Sequence, residues 1–333
     1  MSRQLIAVLG AVLSVITSAA RADCPEWVGS TDTPGPANRV AVSGGYAYVA
    51  DGSEGLRVID VSTPSAPVEV GFFHTPGSAK GVAVSGGYAY VADWIMGLRV
   101  IDVSTPSMPV EVGFVDTPGF AYGVALAGGH AYVADSGAGL RVIDVSTPSM
   151  PVEVGFFDTP GSAIGVAVSG GYAYVADTDF GLRVISVSTP SMPVEVGFVD
   201  TPDFAYGVAV AGGHAYVADL AAGLRVIDVS TPSMPVEVGF FDTPGLATGV
   251  AVSGSYAYVG DEDSGLRVID VSTPSAPVEV GFFVTIDANG VAVSHGFVYL
   301  ADGEAGLAVF MECPFFSDGF ESGDTSAWSA MVP

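Results

Sequence analysis

Lysine is almost missing from this chain of 333 residues: Lys80 stands alone, and 10 basic residues in all face 36 acidic ones for a net charge of −26. A surface this negative repels nucleic acid and anionic membranes, which excludes polyanions as partners. The acidity favours cation binding, or else serves as a charged coat that keeps an apolar fold soluble and monomeric. Long apolar runs are scarce too. The longest at the start, residues 5–16, falls short of the roughly 20 residues that a bilayer-spanning helix requires. It follows a basic start and precedes Ala20-Arg21-Ala22, an A-x-A cleavage pattern, so residues 1–22 read as a signal peptide and the mature chain as secreted (extracellular, cell surface or periplasm), with no membrane span. Removal of Arg3 and Arg21 carries the net charge to −28.

Catalytic signatures are also lacking. There is no HExxH, GxSxG, CxxC or glycine-rich phosphate loop, and the four histidines do not cluster. His130 and His214 take the place of a repeated tyrosine, His74 that of a link aspartate and His295 that of a turn glycine. The reading is therefore of a protein that is not an enzyme, with no catalytic residues.

What the chain has in abundance is itself. Gly-Leu-Arg recurs at Gly55, Gly97, Gly139, Gly181, Gly223 and Gly265, each 42 residues after the last, and Gly306-Leu307-Ala308 follows 41 residues on. Each copy holds four apolar runs separated by Gly-Gly, by Asp-x-x-x-Gly and by Thr-Pro-Ser, which predicts four strands: a (82–85), b (88–93), c (97–104) and d (110–116) in the second copy. Strand c is apolar on both faces, as in a sheet sandwiched between neighbours. Four strands in a period of 40 to 45 residues predict an all-β, seven-bladed β-propeller of four-stranded antiparallel blades. Abundant Gly and Ala in strands a and b fit the crowding near a central axis. Leu56-Arg57-Val58-Ile59-Asp60 and its copies resemble the LVIVD-repeat family of bacterial and archaeal extracellular propellers over about residues 25–313. The resemblance implies a propeller in an extracellular setting and supplies no catalytic residues.

The seventh copy has no strand d after it. Residues 25–35, however, align without gaps with 109–119, a strand d and its link. The N-terminal strand is thus expected to complete the last blade in a 3+1 ring closure. Cys313 aligns with Ser104 and Cys24 with Met108, the residues flanking a Thr-Pro-Ser turn, so a Cys24–Cys313 disulfide would replace the missing turn in an exported protein; free thiols or a metal site are the alternatives. The propeller is then residues 23–313. The tail, 314–333, breaks the repeat and is read either as disordered or as a sorting signal.

The aspartates that end strand b (Asp51 and its six copies) read as turn chemistry in the b–c hairpin, and Arg57 and its copies as partners of carboxylates between blades. Asp177 and Asp179, and Asp261 and Asp263, resemble the opening of a calcium loop without the downstream Glu, which makes them weak metal candidates; no other cofactor is expected. Variation among copies is confined to the d–a links and b–c hairpins, which should emerge on one face. That face carries Trp94, Met96, Phe120, Tyr122, Phe180, Phe204 and Tyr206, with Ile95, Leu220 and Leu246. An apolar, aromatic rim among acids is the form of a binding surface for a protein or glycan, although the same side chains could instead pack between blades. The expectation is a non-catalytic binding or scaffold propeller. The alternatives are a carboxylate- or calcium-dependent hydrolase or lyase, and a purely structural envelope protein.

Overall fold

In the computed structural model, residues 24–313 are described; the expected signal peptide and the C-terminal tail lie outside the described residues. Those residues form seven antiparallel four-stranded sheets and no helix. In the first blade the strands run Arg39–Ser43 (a), Tyr46–Ala50 (b), Leu56–Asp60 (c) and Val68–Phe73 (d), each paired with the next. The following five blades repeat this order from strands a that begin at Gly81, Gly123, Gly165, Gly207 and Gly249.

Local chemistry explains the hairpins. At the a–b turn Gly44 and Gly45 have φ of 60° and 82°, and two consecutive positive φ values define the tight hairpin turn whose twist suits antiparallel strands. Between c and d each blade shifts register: Val58 opposes Gly71 but Ile59 opposes Glu69, a bulge that leaves Val70 unpaired and increases the twist.

The seventh blade is closed as expected. Glu26–Thr31 pairs with Leu307–Met311, which pairs with Phe297–Ala301 and then Val291–Ser294. The N-terminal strand even carries the bulge of a strand d, shifting between Trp27 and Gly29. Cys24 and Cys313 are disulfide-bonded, with Cα atoms 5.6 Å apart across 289 residues of sequence. The bridge stands where the other blades have their Thr-Pro-Ser turn. Gly71 of strand d packs against the Pro106 carbonyl of the next blade, and Gly281 packs in the same way against Cys24. The fully buried Tyr258 of the sixth blade accepts a hydrogen bond from the Cys313 amide at 3.1 Å, tying the end of the last strand to its neighbour.

The core lies between blades rather than within one layer. Ala47, Val49 and Ile59 of the first blade pack against Tyr299, Leu307 and Val309 of the seventh. Tyr48, Leu56 and Val58, on the opposite face of the same sheet, pack against Val91 and Ile101 of the second. This two-sided burial is why strands b and c of the first blade are apolar at every position but Arg57 and the terminal Asp60. Strands a face the central channel, and glycines at their first positions lie against the link carbonyls of the next blade: Gly81 against Tyr122, Gly165 against Tyr206.

Candidate binding face and channel mouth

The links and hairpins are brought together on one face by a repeated clasp. The second hairpin residue exchanges both backbone hydrogen bonds with an alanine of the next link: Trp94 with Ala121 at 3.1 and 3.0 Å, Thr178 with Ala205 at 3.1 and 3.2 Å. All seven clasp residues have positive φ, and five of them (Trp94, Ser136, Thr178, Leu220 and Glu262) are not glycine. A left-handed conformation costs such residues about 1–2 kcal/mol, which the surrounding clasp must hold in place.

The aspartates behind the clasp are structural, but their partners differ from the expected hairpin amides. Asp93 is fully buried; its Oδ1 accepts from Thr75 Oγ1 at 2.6 Å and its Oδ2 from the Gly77 amide at 2.8 Å, both in the link that enters the blade. Asp51, Asp135, Asp177, Asp219 and Asp261 repeat the arrangement. Burial raises the pKa of each carboxyl above the ordinary aspartate value, against the lowering effect of the threonine, the amide and a nearby arginine.

The strand-c arginines pair within their own blade, not between blades. Arg57 lies 3.3 Å from Asp51, 3.0 Å from Glu54 and 3.6 Å from Glu69, all of the first blade. Cross-strand register sets Arg57 opposite Phe72, so the guanidinium lies 4.9 Å from that ring's centre. The five copies Phe114, Phe156, Phe198, Phe240 and Phe282 roof their arginines likewise. Sequence reasoning missed these half-exposed phenyl rings because their role follows from register.

Among the calcium candidates, Asp177 and Asp261 are the buried latches just described, with both carboxylate oxygens engaged. Asp179 and Asp263 are exposed at the hairpin tips. Among the described residues no group of three or more His, Cys, Asp or Glu is placed to hold a metal ion.

The rim residues separate into two sets. Trp94 and Phe120 meet, with ring centres 5.4 Å apart, because the clasp joins their hairpin and link; Ile95 and Phe120 are 48% and 45% exposed. Phe180 and Phe204 are also exposed, Phe180 within 5.7 Å of Arg183, while Met96 is half-buried. Tyr206 belongs elsewhere. It and Tyr122 precede strands a in a ring of seven residues at the channel mouth: Asn38, Lys80, Tyr122, Ile164, Tyr206, Thr248 and Asn289, whose amides donate to strand b of their own blade.

One residue breaks this mouth. At the next position six blades have glycine (Gly81, Gly123, Gly165, Gly207, Gly249 and Gly290) and the first has Arg39. Its Nη1 donates to the Asn38 carbonyl at 3.1 Å and its Nη2 to the Thr248 carbonyl at 3.0 Å, past the seventh blade to the sixth. The guanidinium lies 5.6 Å from the centre of the Tyr206 ring. It borders a cavity of about 150 Å³ otherwise lined by strand-a valines and glycines and by Ile164. Burial lowers the pKa of Arg39 from the ordinary arginine value, with Tyr206 opposing, and burial likewise lowers that of Lys80. Alignment of Asn38-Arg39-Val40 with Lys80-Gly81-Val82 was the signal in the sequence that could have exposed it.

The profile of the LVIVD repeat matches the chain seven times, at residues 34–75, 76–117, 118–159, 160–201, 204–243, 244–285 and 287–310. No curated protein matches the sequence. Among solved structures, the fold is similar to the β-propeller domain of Myceliophteria thermophila Cps50 (Swd1), with TM-score 0.70 and 13% identity over 86% of this chain and 99% of that one. It is similar to a chain of the Mitotic Checkpoint Complex, with TM-score 0.73 and 12% identity over 93% and 99%. The computationally designed Ika8 protein gives TM-score 0.64 and 10% identity over 86% and 99%. At these identities the likeness concerns fold alone.

Proposed function

This chain belongs to the LVIVD-repeat family, and we propose that it is a secreted, non-catalytic binding or scaffold propeller that presents its link-and-hairpin face to a protein or glycan. The observation that carries the reading is the clustering of residues that differ among blades on the face where the half-buried Trp94 and the exposed Phe120 form a ring pair beside the exposed Ile95. An exposed aromatic and aliphatic group within a charged surface offers the flat, low-entropy contact area that sugar rings and protein side chains stack upon. The disulfide that closes the ring supports an oxidising, extracytoplasmic setting.

The test is capture by the oxidised protein on arrays of glycans and extracellular proteins, run with calcium and with EDTA. Saturable hits in both conditions support the aromatic rim as the contact. Hits that vanish in EDTA would transfer the role to the acidic hairpins at Asp179 and Asp263. Blank arrays would favour a structural envelope role.

A further inference from the structure

Eight basic residues lie within the propeller, and their partners divide them into two groups. The six strand-c arginines each contact two or three carboxylates. Among the described residues Arg39 and Lys80 pair with none, and both stand at the same channel mouth, in adjacent blades. In a chain with 36 acids, leaving two cations unpaired side by side is against the overall electrostatics.

Arg39 is the more telling. Of the five N–H groups of a guanidinium, two are taken by the carbonyls of Asn38 and Thr248. The other three have no acceptor among the described residues, beside a cavity whose strand-a walls carry no acid. Arg39 is half-buried, and a partly desolvated cation without a counter-charge is incompletely compensated. Its position is also one where glycine serves the six other blades, so the architecture does not call for a side chain there.

We propose that the channel mouth is a binding site for a short organic monocarboxylate, held by the Arg39 guanidinium with its apolar part among Val40, Val82 and Ile164. A carboxylate matches the planar fork of the free donors. A cavity of about 150 Å³ admits a propionate- or benzoate-sized molecule, and its lining holds one charged side chain, Arg39, so a second anionic oxygen of phosphate or sulfate would meet no second cation there. One cation within so acidic a protein compensates one negative charge, which disfavours dianions. Lys80, half-buried at the adjacent position, adds long-range attraction at the mouth without lining the cavity. The site is separate from the Trp94–Phe120 contact and stands or falls independently of it.

The experiment is titration calorimetry of the oxidised protein with benzoate and propionate, with inorganic phosphate as competitor, repeated on Arg39→Gly and Arg39→Gln. The expected result is saturable carboxylate binding that phosphate does not displace and that falls at least tenfold in both variants, while Lys80→Ala weakens it less. Arg39→Gly reproduces the residue of six other blades, and circular dichroism checks that each variant stays folded. Absence of saturation, equal binding by the variants, or displacement by phosphate would overturn the assignment. Absence of binding combined with a loss of stability in Arg39→Gln would identify Arg39 as a clamp across the ring closure.

Discussion

Thr75 Oγ1 donates to Asp93 Oδ1 at 2.6 Å from 18 residues upstream, so a single buried carboxylate fixes the link that enters its own blade. Asp93→Asn keeps the shape but replaces one acceptor with a donor, facing it toward the Thr75 hydroxyl or the Gly77 amide and Arg99. The variant should lose about 1–3 kcal/mol of stability in urea unfolding. An unchanged midpoint would mean that the latch contributes nothing net.

The pH response follows from the same carboxylates. Asp51, Asp93, Asp135, Asp177, Asp219, Asp261 and Asp302 all have raised pKa values, first through burial. The folded state holds these protons more tightly than the unfolded chain, so their contribution is full below the unfolded value of about 3.9 and is lost as pH rises through the higher folded values. Asp60, Asp102, Asp144 and Asp228 are lowered by hydrogen bonds from the serine two residues on, so their contribution is present above the unfolded value and lost only at more acidic pH. The urea midpoint should therefore fall as pH rises from about 4 through the folded values of the buried aspartates; a midpoint that rises throughout that range would contradict the burial argument.

The clasp carries its own prediction. Ser136 has φ of 50° where the first and seventh blades use Gly52 and Gly303. Ser136→Gly relieves the left-handed strain and adds unfolded-state entropy, for a net gain of about 0.5–1 kcal/mol in thermal unfolding. A loss would show that the clasp imposes no strain on its non-glycine members.

Replacing Cys24 and Cys313 together with serine leaves the pairing of Glu26–Thr31 with Leu307–Met311 but frees the chain end. The variant should lose about 2–5 kcal/mol, read as a lower melting temperature than that of the oxidised protein. Equal melting would assign closure to strand pairing alone.

The blades and their closure were legible because two-residue glycine turns, two-sided apolar strands and a misplaced strand d are local patterns that survive without coordinates. The partners of Asp93 and Arg57 were not. One lies across a link and the other follows from cross-strand register, so reading only neighbouring residues placed the first in the wrong loop and the second in the wrong blade. The rim was half legible: the sequence put Trp94 and Tyr206 on one face, but only the clasp shows that Trp94 meets Phe120 while Tyr206 turns to Arg39. Arg39 is visible in the sequence as a lone departure from glycine, but its contacts with Thr248 and Tyr206 of distant blades follow only from closure of the ring.

The central claim is tested most directly by measuring the affinity of an array-identified ligand for the oxidised protein, for Trp94→Ser/Phe120→Ser, and for Met108→Ser/Met150→Ser in the exposed c–d turns. The account predicts at least a tenfold loss in the first variant, wild-type affinity in the second, and melting temperatures within about 2–4 °C of wild type in both. Undiminished binding by the Trp94→Ser/Phe120→Ser variant, or a loss that only tracks a fall in melting temperature, would contradict it.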